Sequence, residues 1–464
     1  MQKLITKMKR VPLLLLIIFG TISFAMANEE FPGGTGSTSD FSVQAFSHPM
    51  SGTRGELRRD FNVGNSFFNN VWTASPSSTT LRDGLGPIYN AVSCSSCHFK
   101  DGRGRGLPDN EGPVDVSLLF RLRIKTLGSG RDVIPHPVYG GQFQPQSIMG
   151  VKAEGTPVVK YERITLSYND GLFAEILKPI YEFINLNFGP LGENTIVSPR
   201  VAPQMIGLGL VEAIDEADIL VNEDPLDADG DGISGRANHV YSVVENKAVL
   251  GRFGWKAGKP SLLEQNASAF NGDIGITSPL FPYEDCTDAQ ADCKANTTVE
   301  DIAMDRLNNV TTYSQLLAVP VRRDFTKIEV NKGRQVFYSI SCTKCHTPSY
   351  TTSANAPLDI LKNQKIYPYS DFLLHDMGDE LADDKEEFYN EEEATTREWR
   401  TPPLWGSGLV HAVNGHTRYL HDGRARSLEE AILWHGGEGQ KAKDEFMNLS
   451  KTDRDNLIEF LNSL

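Results

Sequence analysis

Apolar residues are spaced in several ways along this chain, and each spacing predicts a different element. The longest predominantly apolar stretch, roughly Val11 to Ala25, follows Lys3, Lys7, Lys9 and Arg10 and ends in Ala25-Met26-Ala27. A basic start, an apolar middle and a small-residue end read as a secretory signal peptide, residues 1–27, cleaved after Ala27. The run is about 15 residues long, whereas a bilayer span needs about 20, which argues against an uncleaved anchor. No later segment is apolar enough to cross a membrane. Residues 28–45 are rich in Gly, Ser and Thr without an apolar period, and read as a flexible leader.

Between about 150 and 325 the pattern mixes alternating, strand-like runs (TPVVKYERITLSY, NHVYSVV) with Pro/Gly turns and helical patches. This predicts irregular α+β material. From residue 326 helical spacing takes over. IEVNKGRQVFYSI, Ile328 to Ile340, reads as a helix that stops just before Cys342. Ser427-Leu428-Glu429-Glu430 is a capping box opening the short helix LEEAILWH, which Gly436-Gly437 ends. Ser450 with Asp453 starts a terminal helix whose Leu457, Ile458, Leu461 and Leu464 share one face.

The chain carries 60 acidic against 45 basic residues, a net charge of −15, and loss of the basic leader deepens the imbalance. Such a surface has no footprint for nucleic acid or anionic lipid. Its six cysteines fall into three close pairs. Export permits disulfides, and Cys286 and Cys293, in the polar segment YEDCTDAQADCK, read as a structural loop disulfide.

The other two pairs are each followed by histidine: Cys94-Ser95-Ser96-Cys97-His98 and Cys342-Thr343-Lys344-Cys345-His346. Two thiols at this spacing can add to the two vinyl groups of a haem while the adjacent histidine reaches the iron. Two such runs predict two covalently bound haem c groups. A four-cysteine zinc site has the same pair spacing, but it leaves both histidines unexplained. A leading helix, a cysteine pair and a terminal helix are the parts of a cytochrome c domain. The expected fold is therefore mainly α: two cytochrome c-like domains with an irregular α+β insertion between the haem motifs. Residues 46–325 would form the N-terminal haem domain, with the insertion and a calcium-like loop, and 326–464 the C-terminal cytochrome c domain.

The sixth iron ligand separates electron transfer from reactivity, since an open iron can bind peroxide. His435 ends the LEEAILWH helix, where an imidazole can ligate iron or satisfy helix carbonyls, and its spacing leaves both readings open. His375, His411 and His416 read as packed or haem-edge residues, and Arg400 as either a propionate partner or a surface arginine. Asp227, Asp229 and Asp231, with glycine at Gly232 and the Ile233 carbonyl beyond, match the start of a calcium loop. Position 12 is Asn238, however, where an EF-hand has glutamate.

The stretch EWRTPPLWGSGLVHAVNGHTRYLHDGRARSLEEAILWHGGE is similar to the C-terminal haem domain of the bacterial di-haem cytochrome c peroxidase superfamily. Together with PQMIGLGLVEAI, DPLDADGDGISGR, GRFGWKAG, LAVPVRR and LLHDMG, it resembles the di-haem oxidoreductase family of peroxidase-like proteins. The resemblance implies a distal ligand 14 residues after the histidine of a His-Asp-Gly turn. Counted from His421, that position is His435, opposite His346. It also implies an aromatic between the haems, for which Trp255 and Trp405 are candidates. The peroxidases keep a displaceable histidine soon after the first motif, but here FKDGRGRGLPDNEGPVDV follows His98. The first iron is then open, or is closed from a distance by His136, Met149 or Met205. The function these features imply is a periplasmic di-haem oxidoreductase that passes electrons through the C-terminal haem to a reactive haem on His98. A small redox protein would be its partner. An electron carrier only, or a protein-modifying di-haem oxidase, are the alternatives.

Overall fold

Two glycines inside helical runs let two pairs of helices pack closely. The computed structural model describes residues 29–125, 134–298, 300–386 and 388–464; the expected signal peptide, 1–27, lies outside them. Helix α1 (Gly55–Asn69) packs on α2 (Met304–Leu316), and α3 (Ile328–Ser339) packs on a terminal helix, Lys451–Ser463. At Gly64 of α1 a Cβ would stand 2.1 Å from the Asn309 carbonyl oxygen, and at Gly333 of α3 only 1.8 Å from that of Asn456. Each glycine is followed four residues later by a buried phenylalanine, Phe68 or Phe337, so each pair repeats one contact. Each leading helix also precedes one Cys-x-x-Cys-His run.

Between the helix pairs lie strands. β1 (Leu118–Ile124) pairs antiparallel with β4 (Thr195–Val201), and the long hairpin β2 (Thr156–Ser167) with β3 (Phe173–Ile184) joins them. Short two-stranded sheets fill the rest, among them β5 (Leu374–Asp376) with β6 (Glu398–Arg400). About 29 % of the residues are helical and 20 % are in strands, which overturns the mainly α expectation. Nothing among the described residues marks off two cytochrome c-like domains either. One hydrophobic core joins α1 and α2 to Tyr350, Phe372 and Trp405; the other joins β1 to α3 and the terminal helix. Both cores thus draw on both halves of the chain. The reason is local: strands of two or three residues have no readable period, whereas the helices that flank the cysteines do.

Residues 29–45, expected to be a flexible leader, are packed. Glu29 is buried and accepts from Arg322 and Arg334, each at 2.9 Å, and Thr38 bridges to Pro320. Small residues let this segment lie flat: a Cβ on Gly33 would come within 2.9 Å of Val319.

Candidate functional site: one cavity joining two histidine motifs

Both Cys-x-x-Cys-His runs open onto a single cavity of about 1400 Å³. Cys94–Cys97 forms one helical turn, capped by Ser93, whose hydroxyl accepts from the Ser96 N–H at 3.2 Å. Cys342–Lys344 forms the corresponding turn, entered through Ser341 at φ 65°. No disulfide joins these four cysteines, and burial pushes the Cys94 and Cys342 thiols up to about 12. Neither pair is an activated thiolate of the kind that exchanges disulfides. Cys286 and Cys293, in contrast, are joined by a disulfide.

Three cavity-lining imidazoles are held in one way, each with Nδ1 on a backbone carbonyl: His98 on Pro203 at 2.7 Å, His346 on Tyr369 at 3.0 Å and His435 on Ala431 at 2.8 Å. A carbonyl on Nδ1 fixes the tautomer that turns a bare Nε2 towards a metal. Burial lowers all three, His98 and His346 to about 4, so the rings stay neutral, as ligation requires. His435 is near enough to His346 to depress it further. The helix opened by Ser427 ends at Leu433, two residues earlier than expected, and His435 lies just beyond it with its ring in the cavity.

The remaining sequence candidates divide. Arg400 lines the cavity, donates to Gly254 O at 2.9 Å and Thr401 O at 3.2 Å, and burial lowers it to about 10. Arg103, which sequence reasoning missed, also lines it. Its Nε is buried without a partner among the described residues, and burial lowers it likewise to about 10. Two cations facing an apolar cavity fit the propionates of a haem. His375 is sealed between Asp371 at 2.8 Å and Glu438 at 2.5 Å. Burial opposes its charge, but the Asp371 carboxylate raises it well above the ordinary imidazole range, and both ring nitrogens are already engaged by carboxylates. His411 is exposed, and both ring nitrogens of His416 are bonded, to Arg103 O and from Arg418 N–H. The same holds for His136, held by Leu191 O, Val138 N–H and Tyr139 N–H, while Met149 is 100 % exposed.

Trp255 lies in the cavity wall and donates to Val201 O at 2.7 Å; Trp405 belongs to the first core. A tryptophan not foreseen, Trp399 on β6, also lines the cavity. His421 stacks on its ring at 3.6 Å, and Lys256 lies 4.0 Å from the same ring. That lysine is fully buried beside Asp383, and burial lowers it to about 8. No local pattern in the sequence announces this cluster. In the acidic loop the structure brings Asp224, Asp227 and Asp229 together, with oxygens within 4.8 Å of one another. Asp231 turns instead to Lys344, at 2.7 Å, and the Ile233 N–H donates to Asp231.

The donor set, the neutral histidines and the two buried arginines, which among the described residues have no carboxylate in ion-pair contact, fit two haems. No curated protein matches the chain. The family described as "Di-haem oxidoreductase, putative peroxidase" matches residues 29–464, nearly the whole chain, so this protein belongs to that family and is an oxidoreductase with haem cofactors.

Proposed function

We propose that both haems are held covalently, one by Cys94 and Cys97 with His98 as iron ligand, the other by Cys342 and Cys345 with His346 and His435. The protein would reduce peroxide at the His98 site with electrons delivered through the His346 site. One asymmetry carries this reading: His346 has a third imidazole, His435, prepared in its own way and close by, whereas His98 has none. His136 and Met149 are held away from the cavity, whereas Met205 lines it two residues beyond the Pro203 carbonyl that holds His98, so the missing partner is an imidazole. Bound haem supplies one-electron chemistry and, at an iron with a free side, a place for peroxide. The chain's residues do the rest. Pro203 and Tyr369 aim the imidazoles, Arg103 and Arg400 face the carboxylates that haem brings, and the apolar walls keep water out. Export to the periplasm rests on residues 1–27 and a small basic redox partner on the acidic charge. Calcium in the acidic loop rests on the crowding of Asp224, Asp227 and Asp229.

EPR of the oxidised protein tests the asymmetry. One high-spin and one low-spin iron are expected, the high-spin one shifting on addition of cyanide. His435→Ala should convert the low-spin signal as well, whereas His411→Ala should leave both unchanged. Two low-spin irons, with no reaction towards cyanide or peroxide, would make this protein an electron carrier instead.

A further inference from the structure

The two helix pairs set a phenylalanine and a partner ring beside their histidines in the same way, but only one of the two partner rings carries a hydroxyl group. Phe68 of α1 lies 6.0 Å from the His98 ring, and Phe337 of α3 lies 6.0 Å from that of His346, centre to centre. Against each phenylalanine rests one ring of the partner helix, Tyr313 of α2 at 5.2 Å and Phe460 of the terminal helix at 5.3 Å. Phe460 shows that packing at this place asks only for a ring. Tyr313 adds a hydroxyl that is fully buried, and a buried hydroxyl is costly unless bonded. It donates to Asp101 Oδ1 at 2.5 Å. That carboxylate is itself buried, and its other polar neighbours are the Ser47 hydroxyl and the Lys100 ammonium. Among the described residues no arginine or lysine is in ion-pair contact with it.

The second half also has a buried tyrosine, Tyr369, which lies 5.7 Å from Phe337 and donates to Glu29 at 3.1 Å. There, however, Arg322 and Arg334 already occupy the carboxylate, and two cations oppose the arrival of a proton. Among the described residues, only at Tyr313 does a phenol meet a buried carboxylate free of ion-pair contacts one ring away from a histidine of the Cys-x-x-Cys-His runs.

We propose that Tyr313 is a redox-active tyrosine serving the His98 haem: it gives an electron through Phe68 and passes its phenolic proton to Asp101. The role rests on the reading of the His98 site as peroxide-reactive. Hydrogen peroxide takes up two electrons and two solvent protons and becomes two waters. One electron leaves Tyr313, whose O–H bond breaks, giving a neutral phenoxyl radical and a protonated Asp101. The other would come from the haem that His346 and His435 would hold, which supplies one electron when it is bound in its reduced state. An electron from the redox partner then restores the phenol, and Asp101 returns the proton. Because the proton stays within the pair, oxidation leaves no new net charge on the ring in the core.

The test uses the holo-protein carrying one electron per chain, mixed with one equivalent of hydrogen peroxide and freeze-quenched for EPR. An organic radical signal is expected that narrows when the protein is made with ring-deuterated tyrosine. It should be lost in Tyr313→Phe, a substitution for which Phe460 is the structural precedent, and kept in Tyr369→Phe. Consumption of peroxide without a radical, or an equal radical in Tyr313→Phe, overturns the proposal. If peroxide is not consumed at all, the peroxide-reactive reading of His98 falls, and the role of Tyr313 falls with it.

Discussion

Lys344 stands between the two cysteines of the second motif, and its ammonium removes Asp231 from the acidic loop beside it. What is left is Asp224, Asp227 and Asp229, of which only Asp229 also reaches Lys344, at 3.8 Å, and carboxylates this close repel unless further positive charge neutralises them. Asp224 precedes the Asp-x-Asp-x-Asp-Gly run and was not legible as part of it. It enters because the turn folds back, its carboxylate accepting from the Ala228 N–H at 2.8 Å. Calcium is therefore expected on Asp224, Asp227 and Asp229. Metal analysis after gentle dialysis should find the calcium content severalfold lower in Asp224→Asn and unchanged in Asp231→Asn. Equal contents in the two variants, or no calcium in the unaltered protein, would leave the loop a plain acidic turn.

At the scale of elements, the signals that were readable were those written in adjacent residues. Ser427 and Ser450 cap their helices, with hydroxyls accepting from Glu430 N–H at 3.0 Å and Asp453 N–H at 3.2 Å, as their spacing from Glu430 and Asp453 implied. The helix before Cys342 runs over Ile328–Ser339, within one residue of its expected end. The glycine inside it had a meaning not drawn from the sequence: Gly64 with Phe68 and Gly333 with Phe337 are the same five-residue device used twice. Gly333→Ala would drive a methyl group into the Asn456 backbone, which cannot rotate away. The helices must separate, at a cost of roughly 1–3 kcal/mol. Denaturant unfolding should show a correspondingly lower midpoint with an unchanged slope, and an unaltered midpoint would mean that the helix contact is looser than the structure shows.

Over the whole molecule, a buried carboxylate, Asp422, helps to pin the hairpin of the middle segment to the C-terminal half. Asp422 accepts from Tyr181 of β3 at 2.7 Å and from Arg424 at 2.8 Å. Burial alone would raise its pKa, but Arg424 and His421 bring it down to about 2. A carboxyl that ionises more readily folded than unfolded stabilises fully above its ordinary pKa near 4 and loses that contribution as the pH falls towards 2. Asp422→Asn should thus cost about 2 kcal/mol at neutral pH, and the gap in melting temperature from the unaltered protein should narrow between pH 4 and 2. A gap that stays constant across that range would assign the loss to packing rather than charge. By itself the sequence determined the two Cys-x-x-Cys-His runs, the Cys286 and Cys293 pair and the capped helices, because their chemistry is complete within a few neighbouring residues. Only the tertiary structure decided that both runs share one cavity, that Arg103 faces it, that strands and small sheets displace the mainly α plan, and that Tyr313 meets Asp101. The partners in those cases lie far apart along the chain, 105 residues between His98 and Pro203 and 212 between Asp101 and Tyr313. Periodicity reports which face of an element is apolar, but the choice of what that face meets is made by the packing of the whole chain.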